Sequence, residues 1–394
     1  MTDRPRIGLA LSGGGVRAAG FHLGVLARLA REDYLEDVVA ISTVSGGSLG
    51  VGLVYALAGM RWPTSREFLE VTLPEARRVM TSTSLQSLLL WRFLRQAIRH
   101  PTHLFGTRAD DLSALLRRNW GITASLQDVP DAPRWMINAT CYETAKNWRF
   151  LNFRMGDYAF GYTEQTDIPL SDALAASAGF PGLIGPLVFS TKGRDWFKYV
   201  DSPAPGAEVD DRMVHRSRRT QAVSPAFRRL HLWDGGVYDN LGAEGVHAIG
   251  RGWKHGIEFL ITSDAGGQPG PEAYRVLRVP LRIIIGVMMD QIRSLRSRVL
   301  IDRIVHRRDG DRGVVLRTGN TCAKVLRDTP HRGEIDARCP SCLTKEAAKR
   351  AAHIATSLKR LSPDDFELLF RHGFEVANCT LYGYNDDLFG YVER

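Results

Sequence analysis

Arg6–Ala30, RIGLALSGGGVRAAGFHLGVLARLA, and then Val38–Gly59, VVAISTVSGGSLGVGLVYALAG, are the stretches from which the fold class follows. Arg6–Ser12 is a short apolar run that stops at three glycines, the signature of a buried strand. Behind the glycines, Ala18, Phe21, Val25 and Leu29 recur at helical spacing. Val38–Val44 is a β-branched second strand, stopped by Ser45-Gly46-Gly47-Ser48 and followed by an apolar helix. Strand–turn–helix repeated twice predicts an α/β fold in which helices cover a mainly parallel sheet.

Further strands are expected at Trp135–Thr140, Trp148–Phe153, Leu230–Trp233 and Ile257–Ser263. A helix over Ser171–Ala178, with Ser171 as N-cap, should stop at Gly179. Two segments interrupt the pattern. Residues 61–120 carry an apolar stripe interleaved with arginines, and residues 201–229 are rich in Pro, Asp and Arg and read as an exposed insertion. From about residue 275 the chain becomes helical and basic, so residues 1–274 are expected to form the main α/β domain. Residues 275–394 are then a mostly helical extension of open role packed on it.

A chain of 394 residues with 44% hydrophobic content can bury a large core. The apolar run at the amino terminus is too short for a secretory signal, and no run is long enough to cross a bilayer. The expectation is a soluble, cytoplasmic protein. Its formal charge of +9 favours anionic partners such as acidic membrane surfaces. No nucleic-acid module is recognisable, so nucleic acid is not expected to bind.

Five cysteines in so long a chain do not make a disulfide framework. Cys339-Pro-Ser-Cys342 is a single CxxC with Cys322 and His331 upstream. Cys322, Cys339 and Cys342 are the candidates if a metal is held, but without a second CxxC free thiols are expected. No cofactor is expected.

Three motifs carry chemistry. At Ser12-Gly13-Gly14-Gly15-Val16-Arg17, glycines leave backbone N–H groups open beside a helix N-terminus, suited to a phosphate or an oxyanion. Gly13-x-Gly15-x-x-Ala18 also fits a dinucleotide fingerprint, with Asp33 or Asp37 for the ribose, so a nucleotide-binding oxidoreductase or regulatory module is an alternative. At Thr43-Val44-Ser45-Gly46-Gly47, Ser45 ends a strand at a small-residue turn, as a nucleophile elbow requires. Thr43 stands where that elbow usually has glycine. At Trp233-Asp234-Gly235-Gly236, an aspartate at a strand end meets two glycines that allow another loop to come close. A serine nucleophile needs a base, and Asp234 is the best placed. Asp264 in ITSDAGG is a rival, and Asp239 and Asn240 are expected to shape the next turn. His22, His231 and His247 are the histidines a triad could use. His231 should point away from Asp234 by strand alternation and is expected in the core.

These motifs, with ASAGFPG at Ala176–Gly182, follow the order and spacing of the patatin-like phospholipases, which residues 5–270 resemble. The resemblance implies a three-layer α/β/α fold, hydrolysis of lipid acyl esters and a Ser–Asp dyad of Ser45 and Asp234. It also implies an oxyanion hole at Gly13, Gly14 and Gly15, with Arg17 supporting the loop. The substrate would be a lipid at an anionic membrane surface, met peripherally. Leu85, Leu88, Leu89, Phe93 and Leu94 with Arg92, Arg95 and Arg99, or Ile283–Val305, could supply an interfacial helix, although packing on the core is slightly favoured. A patatin-shaped membrane scaffold without catalysis is the remaining alternative.

Overall fold

The computed structural model describes residues 4–99, 108–201, 211–267 and 282–393, with positions 274 and 279. The predicted first units form as read. β1 (Ile7–Leu11) leads through the glycines into α1 (Gly15–Ala30), and β2 (Val38–Val44) leads through Ser45 into α2 (Gly46–Leu57). β1 lies between β2 and the Phe259–Asp264 strand, and β2 pairs with β3 (Arg134–Cys141), all parallel. Arg312–Arg317 adds a fifth parallel strand outside Phe259–Asp264.

The sheet is mixed beyond β3. Lys146–Phe150, Met155–Asp157 and Gly161–Thr163 continue it antiparallel. Arg229–Asp234 runs antiparallel both to the far end of β3 and to Leu187–Ser190. Asp234 therefore ends an antiparallel strand, not one of the parallel set expected to present it.

Side-chain alternation divides the core into two layers. Ile7, Leu9, Leu11, Ile41, Ile137, Phe259 and Ile261 face the larger cluster, which holds α1 and α2. Ala10, Ala40, Met136 and Leu260 face the other, with Leu241, Val246 and Leu300. Each fully buried Leu, Ile or Phe contributes roughly 1.5–3 kcal/mol of transfer free energy, so two continuous faces fix the register firmly.

The long C-terminal helix, Pro363–Asn385, covers α1. Their backbones approach so closely that a Cβ on Gly24 would lie 2.0 Å from the Phe370 carbonyl oxygen, and one on Gly373 2.0 Å from that of Phe21. Buried Arg28 ties the same interface, donating from Nε to Asn378 Oδ1 at 2.6 Å and from Nη2 to the Gly390 carbonyl at 2.6 Å. The carboxy-terminal residues thus supply one sheet strand and one helical layer.

Several local expectations change. Residues 65–82 and the start of the 85–99 helix bury Phe68, Ala76, Met80, Leu85 and Leu89 in the main core, so this interruption of the sequence pattern is structural. The side chains of Phe93, Leu94, Arg95 and Arg99 lie outside those described, and Arg92 pairs with Asp111 at 2.9 Å. Ser171 is not an N-cap: the helix starts at Leu170, and the Ser171 hydroxyl bonds Ser113 instead. Cys322 and Cys379 are joined by a disulfide rather than free. Among the described residues no helix is long and apolar enough to cross a membrane.

Candidate active site

Ser45 is held in a backbone conformation an L-residue seldom adopts, φ 50° and ψ −115°. β2 is locked between β1 and β3, and α2 must start at once, so the strand-to-helix reversal falls on this residue. The reversal needs the two glycines after it. A Cβ on Gly46 would lie 2.1 Å from the Gly15 carbonyl oxygen, and one on Gly47 2.4 Å from that of Leu11. Ser45 donates its own N–H to Ser177 Oγ at 3.0 Å, which leaves the hydroxyl for other work.

Thr43 fits without strain. It lies inside β2, outside the positive-φ residues, and its Oγ1 accepts from Trp135 Nε1 and Ser48 Oγ, both at 2.9 Å. Glycine is not needed here because the turn begins two residues later.

Asp234 comes to the same place from the antiparallel strand. Its N–H donates to the Gly179 carbonyl at 3.2 Å, and its carbonyl accepts from Thr140 Oγ1 at 2.8 Å. Carboxylate Oδ1 accepts the Gly236 N–H at 2.7 Å. Buried Oδ2 has no hydrogen-bond partner among the described residues, and the nearby Ser45 hydroxyl favours the charged carboxylate. Burial dominates the balance and pushes this carboxyl up to about 7, against the opposing pull of the Gly236 N–H and the Ser45 hydroxyl. An aspartate with that pKa suits a general base near neutrality.

The glycine loop lies over this pair. A Cβ on Gly13 would come within 3.1 Å of Ser45 Cβ and 2.4 Å of Asn240 Oδ1. The Gly13 N–H is already donated to the Asn240 carbonyl at 3.1 Å. That corrects the expectation of three open amides. Gly14 (φ 145°) and Gly15 (φ 63°) have conformations open to glycine, and their N–H groups find no partner among the described residues. Arg17 is buried and donates to the carbonyls of Ala265 at 3.1 Å and Ile354 at 3.0 Å, bracing the loop from both sides. Burial pulls this guanidinium down to about 10 despite Asp264 nearby.

Gly13, Gly14, Ser45 and Asp234 line one cavity of about 200 Å³ with Phe180, Asn240, Met289, Asp290, Arg293 and Thr356. Phe180 lies in the ASAGFPG motif and Met289, Asp290 and Arg293 in the Ile283–Val305 stretch, whereas nothing in the sequence pointed to Thr356. Thr356 and its neighbours come from the carboxy-terminal part: the Ser357 carbonyl accepts the Val16 N–H at 3.0 Å, and a Cβ on Gly15 would lie 2.4 Å from it. No periodic signal marks this irregular segment.

The rivals separate. Asp264 is buried but paired with Arg293 at 2.9 Å and bonded to the Gly266 N–H. Asp239 holds the next turn through the N–H groups of Leu241 and Glu244, whereas Asn240 also lines the cavity. His22 bonds Ser263 Oγ and the Ser12 carbonyl, and burial pulls its ring down to about 4. His231 is half-exposed and bonded to Glu143 at 2.6 Å, so it belongs to the surface rather than the core. His247 packs on Trp253. Among the described residues no histidine lines the cavity. Asp33 and Asp37 follow α1, whose 16 residues place them about 24 Å from the glycine loop. That separation removes the ribose partner of the dinucleotide reading.

The model of the patatin-like phospholipase family matches residues 9–247. A patatin-like phospholipase domain-containing protein of Neurospora crassa is 24% identical over 263 residues, covering 64% of this chain and 27% of that protein. One from Aspergillus clavatus is 24% identical over 268 residues, covering 65% and 34%. The chain thus spans about a third or less of the length of these relatives. Among solved structures, human GIVD cytosolic phospholipase A2 superposes with a TM-score of 0.54 at 15% identity, over 98% of this chain and 59% of that one, a likeness of fold.

Proposed function

Since the chain belongs to the patatin-like phospholipase family, we propose that it is a serine acyl hydrolase that cleaves carboxylic esters of membrane lipids, as a phospholipase A or lysophospholipase does. The observation that carries this reading is the strained Ser45 turn facing a buried Asp234 whose carboxyl is pushed up to about 7. Ser45 Oγ attacks the ester carbonyl carbon while its proton passes to Asp234. The oxyanion meets the Gly14 and Gly15 N–H groups, with the Gly46 N–H at the start of α2 as a further donor. Gly13 contributes fully only if it gives up its bond to Asn240. Collapse expels the alcohol, which takes the proton from Asp234. Water then attacks the acyl-enzyme with Asp234 again as base, and Ser45 recovers its proton.

A cavity of about 200 Å³ is smaller than the roughly 300–1,000 Å³ of sites that enclose a drug-sized ligand, so it receives the ester while most of the acyl chain lies outside. Exposed Ile283, Val287 and Met288 immediately precede cavity-lining Met289 and offer the apolar surface for that chain. This surface and the net positive charge support peripheral association with an anionic membrane. In this proposal residues 1–274 are the catalytic domain, and residues 275–394 are an extension that braces the glycine loop through residues 352–357.

The test is a panel of phospholipids, lysophospholipids and neutral lipids, assayed as vesicles with the wild type, Ser45→Ala and Asp234→Asn. Turnover by the wild type, lost in both variants while each still unfolds cooperatively well above the assay temperature, is expected. Vesicle binding with no ester turnover by the wild type would leave the scaffold reading.

A further inference from the structure

Four of the five cysteines converge far from one another in sequence. Cys322 begins the Cys322–Arg327 helix, Cys339 and Cys342 flank a turn after Ile335–Arg338, and Cys379 lies on the buried side of the C-terminal helix. The sulfurs of Cys322, Cys339 and Cys342 lie within 4.8 Å of one another. Cys379 Sγ is bonded to Cys322 Sγ and lies 3.9 Å from Cys339 Sγ. In a tetrahedral zinc–thiolate centre with Zn–S of about 2.3 Å, neighbouring sulfurs are about 3.8 Å apart. The Cys339–Cys379 distance matches that edge.

The surroundings call for a staple. The sulfurs sit in a small apolar cluster apart from the main core, in which, among the described residues, Val325, Leu326 and Tyr382 join Cys322 and Cys379 as buried members. The helices around it, Cys322–Arg327, Pro330–Glu334 and Ile335–Arg338, are one turn or two long and cannot hold themselves. A disulfide alone fastens one of these helices to the C-terminal helix and leaves the CxxC turn free of covalent attachment. A shared cation would fasten the Cys322 helix, the CxxC turn and the C-terminal helix together.

The outer contacts are donors and cations together with one carboxylate, Glu375, which pairs with Arg371 and accepts the Leu343 N–H. Tyr391 Oη lies 3.7 Å from Cys339 Sγ, with the Arg338 guanidinium 5.3 Å over the Tyr391 ring. Arg371 donates to the Ser341 carbonyl inside the CxxC turn. His331 is not part of the set: its two nitrogens face Glu334 at 2.8 Å and Asp386 at 3.1 Å.

We propose that Cys322, Cys339, Cys342 and Cys379 form a four-thiolate structural zinc site, of which the Cys322–Cys379 disulfide is the oxidised, metal-free counterpart. A dithiol reductant supplies two electrons and two protons to the disulfide and is itself oxidised. The two thiols so formed and the two of the CxxC then release four protons as they take up Zn²⁺. Four soft thiolates in a tetrahedron select zinc over harder divalent ions.

Metal content of the full chain, purified under dithiol reductant without chelator, tests this independently of ester turnover. About one zinc per chain is expected, falling at least tenfold in Cys342→Ser and unchanged in Cys141→Ser, whose cysteine lies on β3. Because Cys342→Ser could unfold this region, wild-type chain stripped of metal under reductant is also titrated with Co²⁺. The strong visible absorption of a tetrahedral cobalt tetrathiolate is expected. Zinc below a tenth of an equivalent with no such absorption overturns the site. So does a Cys322–Cys379 disulfide that survives the reductant in the folded chain, and iron in place of zinc overturns the choice of metal.

Discussion

The Gly13 N–H donates to the Asn240 carbonyl at 3.1 Å, which ties the loop after the first strand to the turn after Asp234. The two halves of the candidate site, more than 200 residues apart in sequence, are thereby held at one distance. A methyl group on Gly13 would press on Asn240 Oδ1 at 2.4 Å and on Ser45 Cβ at 3.1 Å. Gly13→Ala is therefore expected to lower kcat by about 100-fold, the scale of a misplacement near 1 Å. KM and the circular dichroism spectrum should change little. Near-normal kcat in a folded Gly13→Ala enzyme would mean that the loop does not press on the nucleophile.

The pH dependence follows from Asp234. Burial raises its carboxyl to about 7, so it is protonated and unable to accept a proton below that pH. Ester turnover should rise through an acid limb centred near pH 7 and level off above it. The sign for stability is opposite. A folded pKa above the unfolded value of about 3.9 gives stability that is complete below that value and is lost as pH rises through 7. The melting temperature of Asp234→Asn relative to wild type should thus be higher at pH 8 than at pH 5. An equal difference at both pH values would contradict the raised pKa.

Thr43 offers a test of the elbow. Thr43→Gly, which restores the commoner residue, removes the acceptor of both Trp135 Nε1 and Ser48 Oγ. Leaving buried donors unmade costs about 1–3 kcal/mol each, so a loss of stability in urea of that order is expected, with specific activity of the folded fraction retained. A stabilised variant would show that those two bonds are replaced readily.

The packing of α1 on the C-terminal helix depends on backbone contact. Gly373→Ala places a methyl 2.0 Å from the Phe21 carbonyl and should cost at least about 3 kcal/mol, at or above the upper end of ordinary overpacking. Gly20→Ala on α1 meets only Leu361 and Leu369 side chains, at 3.4–3.6 Å, and should be neutral or stabilising by about 0.5–1 kcal/mol. Equal effects in denaturant melts would contradict this contrast.

The sequence is most legible where hydrophobic period and glycine chemistry coincide. Val38–Val44 forms with the expected limits, and Ser45 falls at the expected turn, because a β-branched run stopped by Ser-Gly-Gly has few other solutions. The direction of the Asp234 strand was not legible, since a short apolar strand reads alike in parallel and antiparallel ladders. Gly13 illustrates a different limit: three consecutive glycines announce open amides, but the carbonyl that occupies one of them comes from Asn240 in another part of the chain. Thr356 and Ser357 reach the site from an irregular segment with no periodicity to read. Three of the four clustered cysteines are visible in the sequence, the CxxC pair and Cys322 upstream, while Cys379 is hidden within a helical pattern.

In the proposed reaction Ser45 is the nucleophile and Asp234 its base, and the rate of covalent labelling by a serine-directed fluorophosphonate reads both roles at once. Intact-mass and peptide analysis should find a single adduct on Ser45 in the wild type and none in Ser45→Ala. Asp234→Asn should label at least about 100-fold more slowly while remaining folded. An adduct on another serine, or an Asp234→Asn chain that labels at the wild-type rate, would contradict it.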